Sequence, residues 1–508
     1  MTKKHLFLNL LIAAGIFSLN GCMMLGPDFQ TPESKIPVSW SVEDDDIFQK
    51  PSEEESLTWW SEFNDPTLDN LIKITFHQNL TLQSAAVRII EARAQLALVQ
   101  GNLYPQSQQL NGDIFTIGTP GPAADRYYNT ASVGFDVGWE MDFWGKYRRS
   151  IESADANLLS TIADYDDLLV SLTAETARTY VNIRTLQERI DLAQKNVTLQ
   201  ENSLKLVQLQ FEAGVVTELD LLQAQTLLAS TRSTIPNLQA ALSNAKNGLA
   251  LLLGLLPEEI GSLLGPKQAI PKTSNQIAVE LPADLLRRRP DVRRSEMQAA
   301  AQSAQIGIAR SELFPSFTLF GSIGWGATDI GENSLGDIFD SNSFSYTFGP
   351  AFRWNLFNYG RLKNQVRIQD ARYQQTILNY QNTVLNAARE VEDAMETLAQ
   401  TRLEAEYLHQ AVTTSQRSTK LSTLQYKEGL IDYQRVLDSI RSLTQKQDQY
   451  AQNRGDIAIS TIALYKAFGG GWQINHEKEN LIPEDMQVEM EERTDWGSLL
   501  SQEEHNND

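Results

Sequence analysis

Apolar residues recur at alternating intervals of three and four between Gly145 and Gly214. They include Ile151, Ala154, Leu158, Ile162, Tyr165, Leu169, Leu172, Tyr180, Ile183, Leu186, Ile190, Ala193, Val197, Leu204, Val207 and Phe211. The mean spacing is close to 3.5, the period of a coiled-coil seam. No glycine or proline interrupts residues 146–213, and residues 361–428 between Gly360 and Gly429 are equally free of both. Each stretch predicts one helix of 68 residues, ~100 Å long at about 1.5 Å per residue. Shorter helical patterns flank them. Asp65-Pro66 makes a helix start, Leu68, Leu71, Ile72 and Ile74 continue it, and Asn79 ends it. Further helices are predicted at about 81–100, 218–253 and 290–311. Pro236 marks a kink or a join in the second of these.

Period-two alternation replaces the helical period in four places. Leu110, Gly112, Ile114 and Thr116 form the first, and Val133, Phe135, Val137, Trp139 and Met141 the second, across a loop of Gly, Pro and Asp at 118–126. The others lie at about 315–326 and 344–357. The landmarks repeat. Leu313-Phe314-Pro315 answers Leu103-Tyr104-Pro105, Trp354 answers Trp139, Gly360 answers Gly145, Gly429 answers Gly214, and Gly469 answers Gly254. The offset is 210 before the inter-strand loop and 215 after it. The chain is an internal duplication whose unit is strand, strand, long helix, tip, helix. It divides into a first repeat at 58–283, which includes a Gly/Pro-rich connector from 254, and a second repeat at 284–472.

The ends have different characters. Lys3-Lys4, an apolar run from Leu6 to Leu19 and then Leu19-Asn20-Gly21-Cys22 read as a signal peptide over 1–21. Leu-x-Gly-Cys resembles a bacterial lipobox, which implies a covalent lipid on Cys22, the chain's single cysteine. Met23 follows where Asp does not, a pattern resembling lipoproteins sent to the outer membrane. Residues 22–57 carry Pro27, Pro32, Pro37 and Pro51 and acid runs at 43–46 and 53–55, and read as an extended lipidated tether. The tail, 473–508, has eleven acids against Lys478 and Arg493 and is expected to be disordered.

Net charge is −21, which excludes nucleic acid as a partner class. The cluster Arg287, Arg288, Arg289, Arg293 and Arg294 is expected to be solvated or ion-paired. The five histidines are scattered, no catalytic or phosphate-binding motif is present, and no metal-ligand spacing occurs. An enzyme, a cofactor and a metal centre are therefore not expected. No later run is long and apolar enough for a membrane helix, so any crossing is by β-barrel. Four strands of 12 to 16 residues exceed the ~9–11 that a tilted membrane strand needs. They cannot close alone, so the barrel requires several chains. Trp139, Trp325, Trp354, Tyr346, Tyr359, Phe348 and Phe357 would supply interfacial girdles.

The chain resembles the outer membrane factors of tripartite efflux pumps, the TolC superfamily, and most nearly the OprM/NodT-type lipoproteins. The resemblance rests on Leu-Asn-Gly-Cys at 19–22, Gly26-Pro27-Asp28-Phe29, Trp59-Trp60 with Phe63 and Asp65-Pro66, Leu281-Pro282 through Leu286-Arg287-Arg288-Arg289-Pro290-Asp291-Val292-Arg293, and Ala463-Leu464-Tyr465-Lys466-Ala467-Phe468-Gly469-Gly470-Gly471-Trp472. It covers about residues 19–472. It implies an α+β membrane fold in a homotrimer, with four strands per chain in a twelve-stranded outer-membrane barrel and helical hairpins in a periplasmic α-barrel. An equatorial region would come from 57–80, the connector and the C-terminus. A periplasmic adaptor and an inner-membrane RND transporter would be partners, and small toxic molecules the cargo.

The resemblance also places a gate. Asp220, six residues after the first tip glycine, and Tyr426, three before the second, are expected to share a hydrogen bond that holds the tips closed. Ile431 stands where relatives carry an arginine. Asp438 would line the aperture, partly neutralised by Arg435 and Arg441, with Asp432 as a second carboxylate. Ala213-Gly214-Val215 and Glu428-Gly429-Leu430 would meet the adaptor. The rival readings are a duct for metal cations, a duct for type I protein secretion, and a lipid-anchored coiled-coil scaffold without a channel.

Overall fold

A computed structural model describes residues 23–37, 39–40, 48–49, 58–119, 126–274, 277–278, 286–330, 334–473 and 481–500. The signal peptide, Cys22, both acid runs of the tether and Leu281-Pro282 lie outside the described residues. Asp65 and Pro66 open the first full helix, α1 (Pro66–Gln78). The Thr67 and Leu68 amides donate to the Asp65 carboxylate at 2.9 and 3.4 Å, satisfying two of the helix's free donors. Asn79 caps its end. The next helix, α2 (Leu80–Gly101), leads into strands β1 (Ser107–Thr119) and β2 (Arg126–Met141). Then come the long helix α3 (Lys146–Glu212) and its return α4 (Glu218–Leu252). The second repeat follows the same plan with α5 (Pro290–Ser311), β3 (Ser316–Thr328), β4 (Phe344–Arg353), α6 (Arg361–Lys427) and α7 (Tyr433–Ala467). Among the described residues no helix is long and apolar enough to cross a membrane.

Three glycine pairs, Gly145 and Gly360, Gly214 and Gly429, Gly254 and Gly469, all adopt left-handed φ between 68° and 84°. Only glycine enters this region without penalty, which is why the punctuation survives in both copies. The paired indoles behave alike too. Trp139 donates to the Leu103 carbonyl and Trp354 to the Leu313 carbonyl, each at 3.1 Å.

The chain forms two compact units. One comprises Met1–Glu33, Ile89–Thr161 and Arg294–Gln381 and holds the four-stranded antiparallel sheet, in the order β1-β2-β3-β4. The other comprises Ser34–Arg88, Ile162–Arg293 and Asn382–Asp508. Its helices are ion-paired across the repeats. Arg189 grips Asp448 through two bonds of 2.8 and 3.0 Å, and Arg454 reaches Glu188 at 2.7 Å. Next to the second pair, Gly455 lets α7 approach α3. A Cβ there would lie 2.9 Å from Thr185 Cγ2.

Three expectations need correction. The tether is partly packed: Leu25 and Trp40 are buried, and Phe48–Gln49 pairs in parallel with Ile277–Ala278 of the connector. The tail is not wholly disordered: Glu484–Arg493 is a helix, α8, and Ile482, Met490 and Leu500 are buried. Three apolar residues spaced through the acids suffice to dock it. Strand β4 stops at Arg353, because Arg353 pairs with Ser316 and the next position would face Pro315, which has no amide to donate. Helix α4 is continuous through the exposed Pro236, so the proline marks no join between two helices.

Within the arginine cluster Arg289 and Arg293 are ion-paired, and Arg287 and Arg288 are exposed. Arg289 is buried and donates to Asp291, Glu390 and the Ala467 carbonyl at 2.6–3.0 Å. Arg293 reaches Asp166 and lies 5.0 Å from the Trp472 ring. The connector is held to α3 by Arg184, which donates to the Leu264 and Pro266 carbonyls. Beside it Tyr180 donates to Asp65 at 2.6 Å, and burial first, then that carboxylate, push its phenol up to about 12.

Candidate functional site

Two regions carry the chemistry, the sheet and the hairpin tips. Residues two apart on a strand share a face, and the register aligns those faces across all four strands. Leu110, Phe135, Ile323 and Tyr346 stand in one row, and Val133, Trp325 and Phe344 in the next. The opposite face is small and polar: Asn111, Asp113, Ser132, Asp136, Ser322 and Thr347, interspersed with Gly134, Gly138 and Gly324. Asn111 donates to Asp136 at 2.7 Å and Ser132 to Asp113 at 2.5 Å. Phe115, Ile117 and Phe320 are the exceptions on that face. Such a sheet suits lipid on one side and water on the other. Among the described residues β1 and β4 each have a single neighbour, so both edges are open.

Aromatics gather at both ends of the apolar face. Trp325 meets Phe344 and Phe339 at the loop end, at 5.5 and 6.2 Å. At the helix end Phe317 meets Phe143 and Phe352, with Trp354 and the fully exposed Tyr359 and Phe357 beyond. Trp139 also lies there. Phe348 does not belong to either belt, since it sits mid-strand opposite Gly321.

Both tips are built alike. The Val215 amide donates to the Gln210 carbonyl and the Leu430 amide to the Gln425 carbonyl, each at 2.8 Å, around a glycine with φ of 72°. This closes each long helix as a Schellman motif. Val215 and Leu430 are 70% and 72% exposed, so each turn presents an apolar residue to its surroundings. Beneath them Val207, Ala224, Tyr426, Tyr433, Val436, Leu437 and Ile440 form one buried cluster drawn from all four long helices.

The gate residues do not all meet as expected. Asp220 closes a capping box: its Oδ2 accepts from the Thr217 amide at 3.1 Å and the Thr217 hydroxyl at 2.8 Å. Tyr426 lies near enough to feel that charge, yet its buried hydroxyl has no hydrogen-bond partner among the described residues. Burial, and then the Asp220 charge, push the phenol up to about 12. The Tyr426–Asp220 bond is thus not made, because the nearer Thr217 holds the carboxylate. The sequence also did not flag Tyr433, whose ring lies 5.3 Å from Tyr426 and whose hydroxyl shares a 3.1 Å bond with Ser203. Its place four residues past the second tip glycine, at the start of α7, was the available signal.

Asp438 pairs with Arg441 at 3.3 Å and accepts from Gln434, and among the described residues no ion pair joins it to Arg435. Asp432 occupies the N-cap of α7 without a side-chain cap bond. At the 215 offset Asp432 corresponds to Thr217 and Arg435 to Asp220. The capping box of the first tip therefore has no equivalent at the second.

A family model described as "Outer membrane efflux protein" matches residues 71–255 and 281–470. The chain is similar to the probable outer membrane lipoprotein SilC of Salmonella typhimurium, 30% identical over 92% of this chain and 99% of that one. It is similar to the cation efflux system protein CusC of Escherichia coli (strain K12), 30% identical over 89% and 97%. Among solved structures it is similar to the outer-membrane channel OprN, with 30% identity, a TM-score of 0.83, and coverage of 89% of this chain and 100% of that one. The family match spans both repeats, each with its pair of strands and its helical hairpin, and the chain belongs to the outer membrane efflux protein family.

Proposed function

We propose that this chain is the outer-membrane channel component of a tripartite, RND-type efflux pump, lipidated at Cys22 and assembled as a homotrimer. The two-faced sheet carries the reading. Its apolar face fits lipid, its polar face fits a water-filled lumen, and two unpaired edges call for copies of itself. Three chains would give twelve strands. The tips, with Val215 and Leu430 exposed beside Gly214 and Gly429, suit docking to a periplasmic adaptor. Small toxic molecules are the cargo class. The channel itself performs no bond chemistry.

The test has two arms. Detergent-extracted protein should run as a heat-modifiable trimer and conduct in planar bilayers. Deletion of the gene should sensitise cells to dyes and detergents, with rescue by the intact chain. A monomer without conductance would defeat the channel reading in favour of a scaffold. Similarity to CusC supports a second reading, efflux of metal cations. Sensitisation to copper or silver salts without sensitisation to dyes would establish it.

A further inference from the structure

The apolar face of the sheet contains a groove, and the N-terminal tether is anchored close to its end. The groove has a volume of about 420 Å³ and is walled by Pro105, Phe135, Trp139, Leu319, Tyr346 and Phe348. Its floor is Gly321, which lacks a side chain in the row that Val137 and Phe348 occupy. From Trp139 to Phe135 it follows four residues of strand, ~13 Å at about 3.3 Å per residue. One acyl chain spans about half of a ~30 Å hydrocarbon core, or ~15 Å.

The tether is clasped at several points. The Leu25 amide donates to the Trp144 carbonyl at 3.1 Å. Arg149, almost wholly buried, donates to the Leu25 and Gly26 carbonyls and to Asp28. Gly26 and Gly307 meet so closely that a Cβ on Gly26 would lie 2.6 Å from Gly307 Cα. Met24 rests against Gly145, its Cα 2.9 Å from where a Cβ would stand. Cys22 is two residues earlier, within ~8 Å of Met24 at 3.8 Å per residue. Gly145 in turn is six residues beyond Trp139 at the groove's end.

We infer that the groove floored by Gly321 is an intramolecular acyl site that takes one fatty-acyl chain of the lipid on Cys22 of the same chain. This rests on the proposed lipidation. The clasp makes Arg149 a positioning residue that fixes the lipid beside the sheet instead of leaving it on a free leash. The site deepens the role of the anchor: the lipid becomes part of the packed surface.

The test is photo-cross-linking in cells grown with a bifunctional fatty acid bearing a diazirine and an alkyne. After irradiation, the full-length protein is purified, digested and analysed by mass spectrometry. The expected product is the Cys22 peptide joined through its acyl chain to the strand peptides containing Leu319–Ile323 or Tyr346–Phe348. Gly321→Leu fills the floor and should abolish that product while the Cys22 peptide keeps its acyl mass. Should that variant fail to accumulate, Gly321→Ala serves, since its Cβ would sit at an ordinary 3.6 Å from Phe348. A Cys22 peptide that is acylated but joined only to phospholipid or to other surfaces, or a product undiminished in the filled variants, overturns the acyl site and leaves lipidation standing. A Cys22 peptide without acyl mass overturns the lipidation reading itself.

Discussion

Replacing Tyr426 with phenylalanine separates two accounts of the tip. If Tyr426 latched onto Asp220, the change would remove a charge-assisted hydrogen bond, worth roughly 1.5–3 kcal/mol, and loosen the gate. In the structure the hydroxyl is 95% shielded with its residue, has no partner among the described residues, and Asp220 is held by Thr217. An unpaired buried hydroxyl costs about 1–3 kcal/mol, so its removal should be neutral or stabilising by up to about 1 kcal/mol. The ring stays, and with it the contact to Tyr433. Asp220→Ala should behave oppositely. It destroys the capping box, about 1 kcal/mol, and a favourable charge at a helix N-terminus, about 0.3–1 kcal/mol. Thermal unfolding of the purified protein and single-channel conductance read both variants, and the double variant should show additive effects. A Tyr426→Phe protein that loses stability, or that conducts more than the parent to the same degree as Asp220→Ala, would refute this account and restore the latch.

Further outcomes are open to measurement. The Tyr180 phenol is raised to about 12 when folded against 10 when unfolded, so its contribution is complete below pH 10 and is lost as pH rises toward 12. The loss is about 1.4 kcal/mol by pH 11, and Tyr180→Phe should flatten the alkaline fall in Tm. Gly455→Ala forces a methyl into Thr185 and should cost about 1–3 kcal/mol in thermal unfolding, where a surface glycine on a helix would gain. Asp438→Asn should leave stability unchanged, since its exposed pair with Arg441 is worth only about 0.2–0.5 kcal/mol, yet it should weaken block of the channel by divalent cations in bilayers. Gly214→Leu or Gly429→Leu should abolish cross-linking to the adaptor and efflux-dependent resistance, with trimer formation intact. The left-handed tip alone bears the strain, about 1–2 kcal/mol.

The long elements were legible because few residues decide them. Absence of glycine and proline from 146–213 and 361–428 left helix as the only economical backbone, and the flanking glycines set both ends within a residue or two. Asp65-Pro66 and Asn79 worked the same way for α1. The sequence pattern overextends strand β4, because aromatic alternation continues past Arg353 and only Pro315 on the partner strand ends the pairing. Composition understates the order of the tether and tail because it averages over isolated anchors such as Leu25, Trp40 and Met490, whose burial depends on surfaces distant in sequence. The tip failed for a different reason. The spacing placed Asp220 and Tyr426 in the same neighbourhood, but which donor a carboxylate accepts from turns on a competing hydroxyl three residues away.

The fused duplication has a consequence for how such a protein changes over time. Were the two hairpins products of one unfused gene, any substitution would strike both at once. Carried in tandem within one chain, they are encoded by separate codons. The first could keep Thr217 and Asp220 while the second acquired Asp432 and Arg435, and Tyr426 could arise where the first retains Phe211. Fusion thus converts an obligatory symmetry into two independently adjustable halves, one free to conserve its cap while the other is tuned.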